Sequence, residues 1–327
     1  MPTSNDNLDR LDSRLDELRD EMIAFQRELT AVVALGPGNA GAGEWARARF
    51  LQEKMRGFGL EDITEYNAPD ERVEEKTRPN MVVRLAGSAE TPMVWVMAHM
   101  DVVPPGDDKQ WETEPFEATV REGCIYGRGT EDNQQGLVSA LFAMKALVDE
   151  KIPPTTDVGL ILVSDEETGN RYGIEHLLQT APDLVAADDL VIVPDAGVPD
   201  GTMVEVAEKS ILWLRFHVRG KQVHASTPQA GVNAHRAGAR LVVMLDEALH
   251  RAYDRRDPVF DPPMSTFEPT MREANVPNIN TIPGEDVLCF DCRVLPDIEL
   301  DEVLATARGI AAGVERGGPS TDLSRYA

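Results

Sequence analysis

Four short stretches of the chain each carry an imidazole or a carboxylate in a place where such groups act together. His99 and Asp101 stand two residues apart at the end of an apolar run, residues 93–98. In an extended chain, residues i and i+2 project from the same face, so this imidazole and carboxylate enter one space. A histidine beside a carboxylate at the end of a strand has the form of a metal ligand with its orienting partner. A second apolar run, 158–163, leads into Asp165, Glu166 and Glu167, and a third, 190–193, leads into Asp195. Asp132 closes Gly127-Arg128-Gly129-Thr130-Glu131-Asp132, just before a stretch of helical apolar spacing. Each has an ordinary explanation alone: a locally satisfied histidine, a helix N-cap, a solvated loop, a turn residue. Together they do not, because so many acids at one place stay ionised only with a cation among them. Imidazole with carboxylates, and no thiolate cluster, suits zinc or another borderline divalent metal. There is no H-E-x-x-H and no glycine-rich phosphate loop followed by lysine.

The elements that must position these groups follow from periodicity. The three apolar runs have the length and composition of buried strands. They alternate with helical patterns at 8–32, 44–56, 134–148 and 172–179, and shorter strands fit 62–66 and 81–85. A hairpin fits 118–125, turning at Glu122-Gly123. Buried strands alternating with helices predict an α/β domain, a mostly parallel sheet with helices on both faces. In such sheets ligands gather at the carboxyl ends of the strands. The texture changes near Gly201. Residues 203–207 and 211–218 alternate like half-exposed antiparallel strands, followed by a helix at 233–253, strands at 265–271 and 287–294, and a helix at 300–314. This predicts a smaller α+β, ferredoxin-like domain with two helices on one face of an open sheet. The expected division is a catalytic domain at 1–202, the smaller domain at 203–317 and a tail at 318–327.

Composition narrows the partners. A chain of 327 residues, 42% hydrophobic and 27% charged, fits two globular domains. Lys and Arg number 32 against 57 Asp and Glu, a formal net charge of -25 that repels nucleic acid and anionic membrane. Lysine occurs only at 54, 76, 109, 145, 151, 209 and 221; an acidic, lysine-poor composition resembles that of salt-adapted proteins, so a halophilic source is expected. The sequence has no membrane-spanning apolar run, and its first residues lack the pattern of a signal peptide, which favours the cytoplasm. Cys289 and Cys292 have an odd separation that points them to opposite faces of a strand, and no second pair completes a zinc site.

His99-Met100-Asp101, Gly127-Arg128-Gly129 with Asp132, Asp165-Glu166-Glu167-Thr168-Gly169 and Asp195 together resemble a known family. It is the co-catalytic zinc family of succinyl-diaminopimelate desuccinylase, acetylornithine deacetylase, aminoacylase and related di- and carboxypeptidases. The resemblance implies two divalent ions, zinc first, with cobalt or manganese as alternatives. It implies that His99 and Asp195 bind one ion, Glu167 the other, and that Asp132 bridges them. Asp101 would orient His99, and Glu166 would be the general base acting on a metal-bridging water. Two cations about 3.5–4 Å apart would acidify that water and polarise an amide carbonyl. The smaller domain would be a lid through which the chain forms a homodimer. There, Gly-Lys-Gln-Val-His224 and Pro-Asn-Ile-Asn280 resemble lid motifs. His224 would reach the opposite subunit's site and stabilise an oxyanion, while Asn280 and Arg293 would grip a substrate carboxylate.

The family's remaining ligand is a histidine beyond the lid, and no histidine follows His250. The expectation is therefore a chain lacking the C-terminal part of the catalytic domain, with an incomplete second metal site. The expected reaction is release of an amino acid from an N-acyl amino acid or small peptide. One alternative is a dipeptidase or aminopeptidase, since an aspartate at 195 accompanies that specificity in the family. Another is a non-catalytic dimeric binding protein.

Overall fold

The computed structural model describes residues 4–88, 92–198, 200–315 and 319–325. The chain divides into two units, Met1–Met203 and Val204–Ala327.

In the first unit, helices α1 (Ser4–Glu17) and α2 (Arg19–Ala31) make the long amphipathic run, interrupted only at Leu18. Helix α3 (Trp45–Gly57) precedes strands β1 (Ile63–Glu65), β2 (Ala68–Pro69), β3 (Thr77–Arg78), β4 (Met81–Leu85) and β5 (Val94–His99). The hairpin β6 (Thr119–Arg121) and β7 (Cys124–Tyr126) turns at Glu122 and Gly123, both with positive φ. Helix α4 (Gln134–Glu150), strand β8 (Val158–Val163), helix α5 (Ile174–Thr180) and strand β9 (Leu190–Ile192) follow.

The main sheet has the order β1-β4-β8-β5-β9. Strands β8 and β9 run parallel to β5, while β4 is antiparallel to both β8 and β1. Strand β4 alone is reversed, so the sheet is mixed and its other strands share one direction. Alternation along each strand decides which layer each side chain joins. Met81, Val83, Ala98, Leu160 and Leu162 pack with Phe25, Leu51, Met55, Leu141 and Phe142 of α2, α3 and α4. Val82, Trp95, Ile161 and Val163 pack on the opposite face with Leu177 of α5 and with Leu184. Helices thus cover both faces, as expected.

One strand departs from the expectation of burial. Leu190, Val191, Ile192 and Val193 are all exposed, 57%, 42%, 45% and 48%. The reason is position: β9 is an edge strand, paired on one side only among the described residues.

In the second unit, β10 (Ser210–Arg219), α6 (Ala234–Ala252), β12 (Thr266–Arg272), β14 (Glu285–Val294), α7 (Leu300–Glu315) and β15 (Ser320–Arg325) form the framework. A minor ladder joins β11 (Val223–His224) to β13 (Thr281–Ile282). The sheet order β12-β14-β10-β15, antiparallel throughout, is the β-α-β-β-α-β arrangement called ferredoxin-like. Two expectations need correction. Residues 203–207 form no strand, since both edges of β10 are already filled by β14 and β15. Residues 320–325, expected as a tail, are the fourth strand of this sheet. Leu212, Leu214, Phe216 and Val218 meet Leu241, Leu245 and Leu249 of α6 and Val303 and Ala307 of α7. Cys292 lies in this core, and burial pushes its thiol up to about 12, whereas Cys289 faces Arg215 and Glu273. Among the described residues no helix is long and apolar enough to cross a membrane.

Candidate metal centre

Three elements converge at the carboxyl ends of β5 and β9. His99 is the last residue of β5, and its Nδ1 lies 3.0 Å from the Asp101 carbonyl oxygen. The carbonyl can only accept, so Nδ1 carries the hydrogen and Nε2 is left as the ligand nitrogen. That Nε2 is 2.8 Å from Asp132 Oδ1 and 3.9 Å from Asp195 Oδ1. The three donor atoms lie within 4.8 Å of one another. Tetrahedral bonds of about 2.1 Å would hold such donors about 3.4 Å apart, between the two observed separations. One imidazole nitrogen and two carboxylate oxygens are a donor set suited to a divalent cation.

The local sequence explains the convergence. Strand β9 is parallel to β5, so Asp195 emerges beside His99. The loop carrying Asp132 turns at Gly129, where φ is 80° and a Cβ would lie 2.5 Å from Val102 Cγ1. Helix α4 then starts against the end of β9: a Cβ at Gly136 would sit 2.3 Å from the Pro194 carbonyl oxygen. Asn133, buried at the head of α4, donates to Asp195 Oδ1 at 2.8 Å and to the Pro194 carbonyl at 3.1 Å. Asn133→Ala should therefore weaken metal affinity by about 10–100-fold, the usual loss when a ligand's outer partner goes. Isothermal titration of the metal-stripped chain with zinc measures it; an unchanged affinity would mean Asp195 needs no such support.

Glu166 and Glu167 follow β8 in a tight turn whose first residue, Asp165, has φ 66°. The two oxygens of Asp101 accept from the Glu166 and Glu167 amides, each at 3.1 Å. Asp101 thus has two duties: its carbonyl meets the His99 ring, and its buried carboxylate pins the glutamate turn. Its carboxylate is 3.5 Å from His99 Nδ1, farther than the carbonyl. The Glu167 carboxylate is not part of the His99–Asp132–Asp195 trio.

The electrostatics describe a site short of positive charge. Burial, with Asp132 next, raises Glu167 to about 7, and burial also raises Glu166. Burial works against a charged His99, but hydrogen bonds to Asp101 and Asp132 outweigh it and raise the imidazole to about 10. Both folded values lie above the ordinary 4.5 and 6.5. The stability these groups give the metal-free chain is therefore present at low pH. It is lost as pH rises through about 7 for Glu167 and about 10 for His99. A bound cation takes the place of these protons. Metal uptake near neutral pH should release on the order of one proton per chain or more, and added zinc should raise Tm more at high than at low pH. Calorimetry in buffers of different ionisation heat checks this; uptake without proton release would refute it.

In the second unit, His224 Nδ1 lies 3.2 Å from the Ser226 amide nitrogen and its Nε2 lies 3.4 Å from Asn280 Nδ2, so these two expected residues do meet. Arg293 instead makes a two-point ion pair with Asp291, at 2.7 and 3.0 Å.

Sequence reasoning passed over Asn133 and a group of buried charges. Arg47 is buried and donates to the Met100, Val32 and Leu29 carbonyls, at 2.6, 2.9 and 3.3 Å, bracing the backbone between His99 and Asp101. Its signal was available: Arg47 falls on the same helical stripe as Leu51 and Met55, where a charge needs a reason. Glu44 and Arg78 gave no such signal.

The family model for Peptidase family M20/M25/M40 matches residues 95–302. An uncharacterised metallohydrolase of Methanococcus maripaludis is 40% identical over 299 residues, 89% of this chain and 71% of that protein. A succinyl-diaminopimelate desuccinylase of Shewanella loihica is 28% identical over 302 residues, covering 91% of this chain and 74% of that one. Among solved structures, an M20 family metallo-carboxypeptidase of Sulfolobus solfataricus has a TM-score of 0.68 at 18% identity, over 93% of this chain and 77% of its own. Divalent-metal binding goes with the family, and the His99–Asp132–Asp195 trio supplies donors for it. The match spans more than half of the chain and includes His99, Asp132, Glu166 and Asp195, so this metallohydrolase of amide bonds belongs to Peptidase family M20/M25/M40.

Proposed function

We propose that the chain releases an amino acid from an N-acyl amino acid, with desuccinylation or deacetylation as the reaction. The carrying observation is the ligand trio His99–Asp132–Asp195 beside a turn whose glutamates Asp101 holds by their amides. Zinc is the first candidate for the metal. When bound, such ions polarise the amide carbonyl and make a water acidic enough to attack it. Glu166 is the proton carrier: half-buried beside His99 and Asp101, it takes the proton of the attacking water and delivers it to the departing amine. Glu167 serves as a further ligand. His224, reaching the opposite subunit's site in the dimer, stabilises charge developing on the carbonyl oxygen. Asn280 and Arg293 bind the substrate's carboxylate, for which Arg293 exchanges its contact with Asp291.

The sequence resemblance that carries Asp195 also favours a dipeptidase on the same scaffold. The two readings separate in one panel: metal-stripped chain, reloaded with zinc, cobalt or manganese, is offered N-succinyl and N-acetyl amino acids and dipeptides. Cleavage of the acyl compounds with dipeptides at least about tenfold slower in kcat/KM is expected; the reverse order makes it a dipeptidase. No turnover of either class with any metal would leave a binding protein. A dimer formed through the second unit is part of the same reading, and sedimentation of the full chain tests it. The acidic composition adds that fold and activity should decline on dialysis to low salt.

A further inference from the structure

Beneath the Glu166–Glu167 turn lies a set of buried charges that the proposed chemistry does not use. Arg78, on β3, and Glu44, just before α3, have no exposed side-chain surface. Arg78 Nε donates to Glu44 Oε2 at 2.6 Å, and its Nη2 donates to Oε1. The third nitrogen, Nη1, lies 3.4 Å from Asp165 Oδ1 and 3.5 Å from Asp70 Oδ2. Asp165 also accepts from Thr168 Oγ1 and, at 3.0 Å, from the Tyr172 amide, while its carbonyl accepts from the Asn170 amide at 2.7 Å. The guanidinium stands 5.7 Å from the centre of the Tyr172 ring.

These contacts enclose the turn from below. Asp165 starts it in the left-handed region, which a non-glycine residue keeps only when its surroundings impose it. Above, Asp101 fixes the Glu166 and Glu167 amides. A buried ion pair stabilises a fold little better than apolar residues of the same shape, so its use here points to geometry. Only an arginine fork holds one carboxylate with two nitrogens and still presents a third to another; lysine is a point charge.

We propose that Arg78, held by Glu44 and acting through Asp165, is a positioning residue that sets where Glu166 stands for proton transfer. This rests on the role given to Glu166 above. It predicts that weakening the Arg78–Asp165 link frees the turn without removing metal.

The test uses the full chain with Arg78→Lys, which keeps the charge and loses the fork, and Asp165→Asn, which keeps the Arg78–Glu44 pair. Each should lower kcat by about 10- to 100-fold, the scale of a small misplacement of a reacting group, with KM within about twofold. Zinc stoichiometry should be unchanged. Hydrogen exchange at the Glu166, Glu167 and Thr168 amides, measured without metal or substrate, should quicken at least about tenfold, with the α4 and β8 amides unaffected. Unchanged exchange and kcat overturn the proposal, as does quickening spread over the whole first unit, which marks a merely structural pair. Where Arg78→Lys fails to fold, Asp165→Asn alone decides. Absence of turnover by the parent chain would defeat the functional reading, while the exchange arm would still decide the role of Arg78.

Discussion

Glu166→Gln should reduce kcat by about 10²- to 10⁴-fold, the share that general acid–base catalysis supplies, while zinc content stays that of the parent chain. The glutamine keeps the volume and the amide that Asp101 accepts from, so the turn should hold its shape. Only the ability to take and return a proton is lost. Burial raises this carboxyl above its ordinary value, so it holds a proton more readily than an exposed glutamate, which suits it to that cycle. The rate of the parent chain should fall as pH drops through the value of this carboxyl. That limb should vanish from the residual activity of the variant. Loss of metal with activity would instead make Glu166 a ligand and exchange its role with that of Glu167. Pre-steady-state turnover beside atomic absorption on the same samples distinguishes these outcomes.

Arg78→Met should destabilise the first unit by about 3–5 kcal/mol, because it strands the Glu44 carboxylate in a site with no exposed surface. The loss should far exceed that of removing an exposed pair such as Arg121–Glu112, which solvent screens. Adding Glu44→Leu should recover part of the loss, since the double variant leaves no uncompensated charge between those two positions. In a Trp213→Phe background the remaining tryptophans, Trp45, Trp95 and Trp111, all lie in the first unit, so urea titration by fluorescence follows that unit's unfolding. A midpoint shift no larger than that of Arg121→Ala would show that the pair is more weakly coupled than its burial indicates.

Much of this was legible in residue order. The runs 93–98 and 158–163 read as strands because continuous apolar stretches that end in turn residues have few other homes, and β5 and β8 occupy them. The helix expected at 233–253 is α6, and Asn233 caps it by accepting from the Arg236 amide at 2.9 Å. The convergence of His99, Asp132 and Asp195 was also readable, since strand ends on one sheet edge leave few other places for them. What failed was whatever depended on neighbours. The run 190–193 was expected to be buried by its composition, but exposure at an edge is decided by what lies beside a strand. Residues 203–207 alternate as well as any strand and pair with no strand among the described residues, while 320–325, a plain polar stretch, pairs because β10 has an edge for it. The Arg78–Glu44 pair was invisible for the same reason. Its members stand 34 positions apart, and charged residues in sequence read as surface.

The fourth strand of the second unit has a consequence for the order of assembly. Strand β15 closes the sheet by pairing Ser320 with Arg219 and Arg325 with Leu214, contacts between the two ends of the unit. Such distant pairings form late, since the intervening chain must first be drawn in. Until then the central strand β10 has one bare edge, with Leu214, Phe216 and Val218 alternating along it. A half-assembled unit is thus a template for a β15 from another copy, and high concentration during refolding should favour exchanged dimers over monomers.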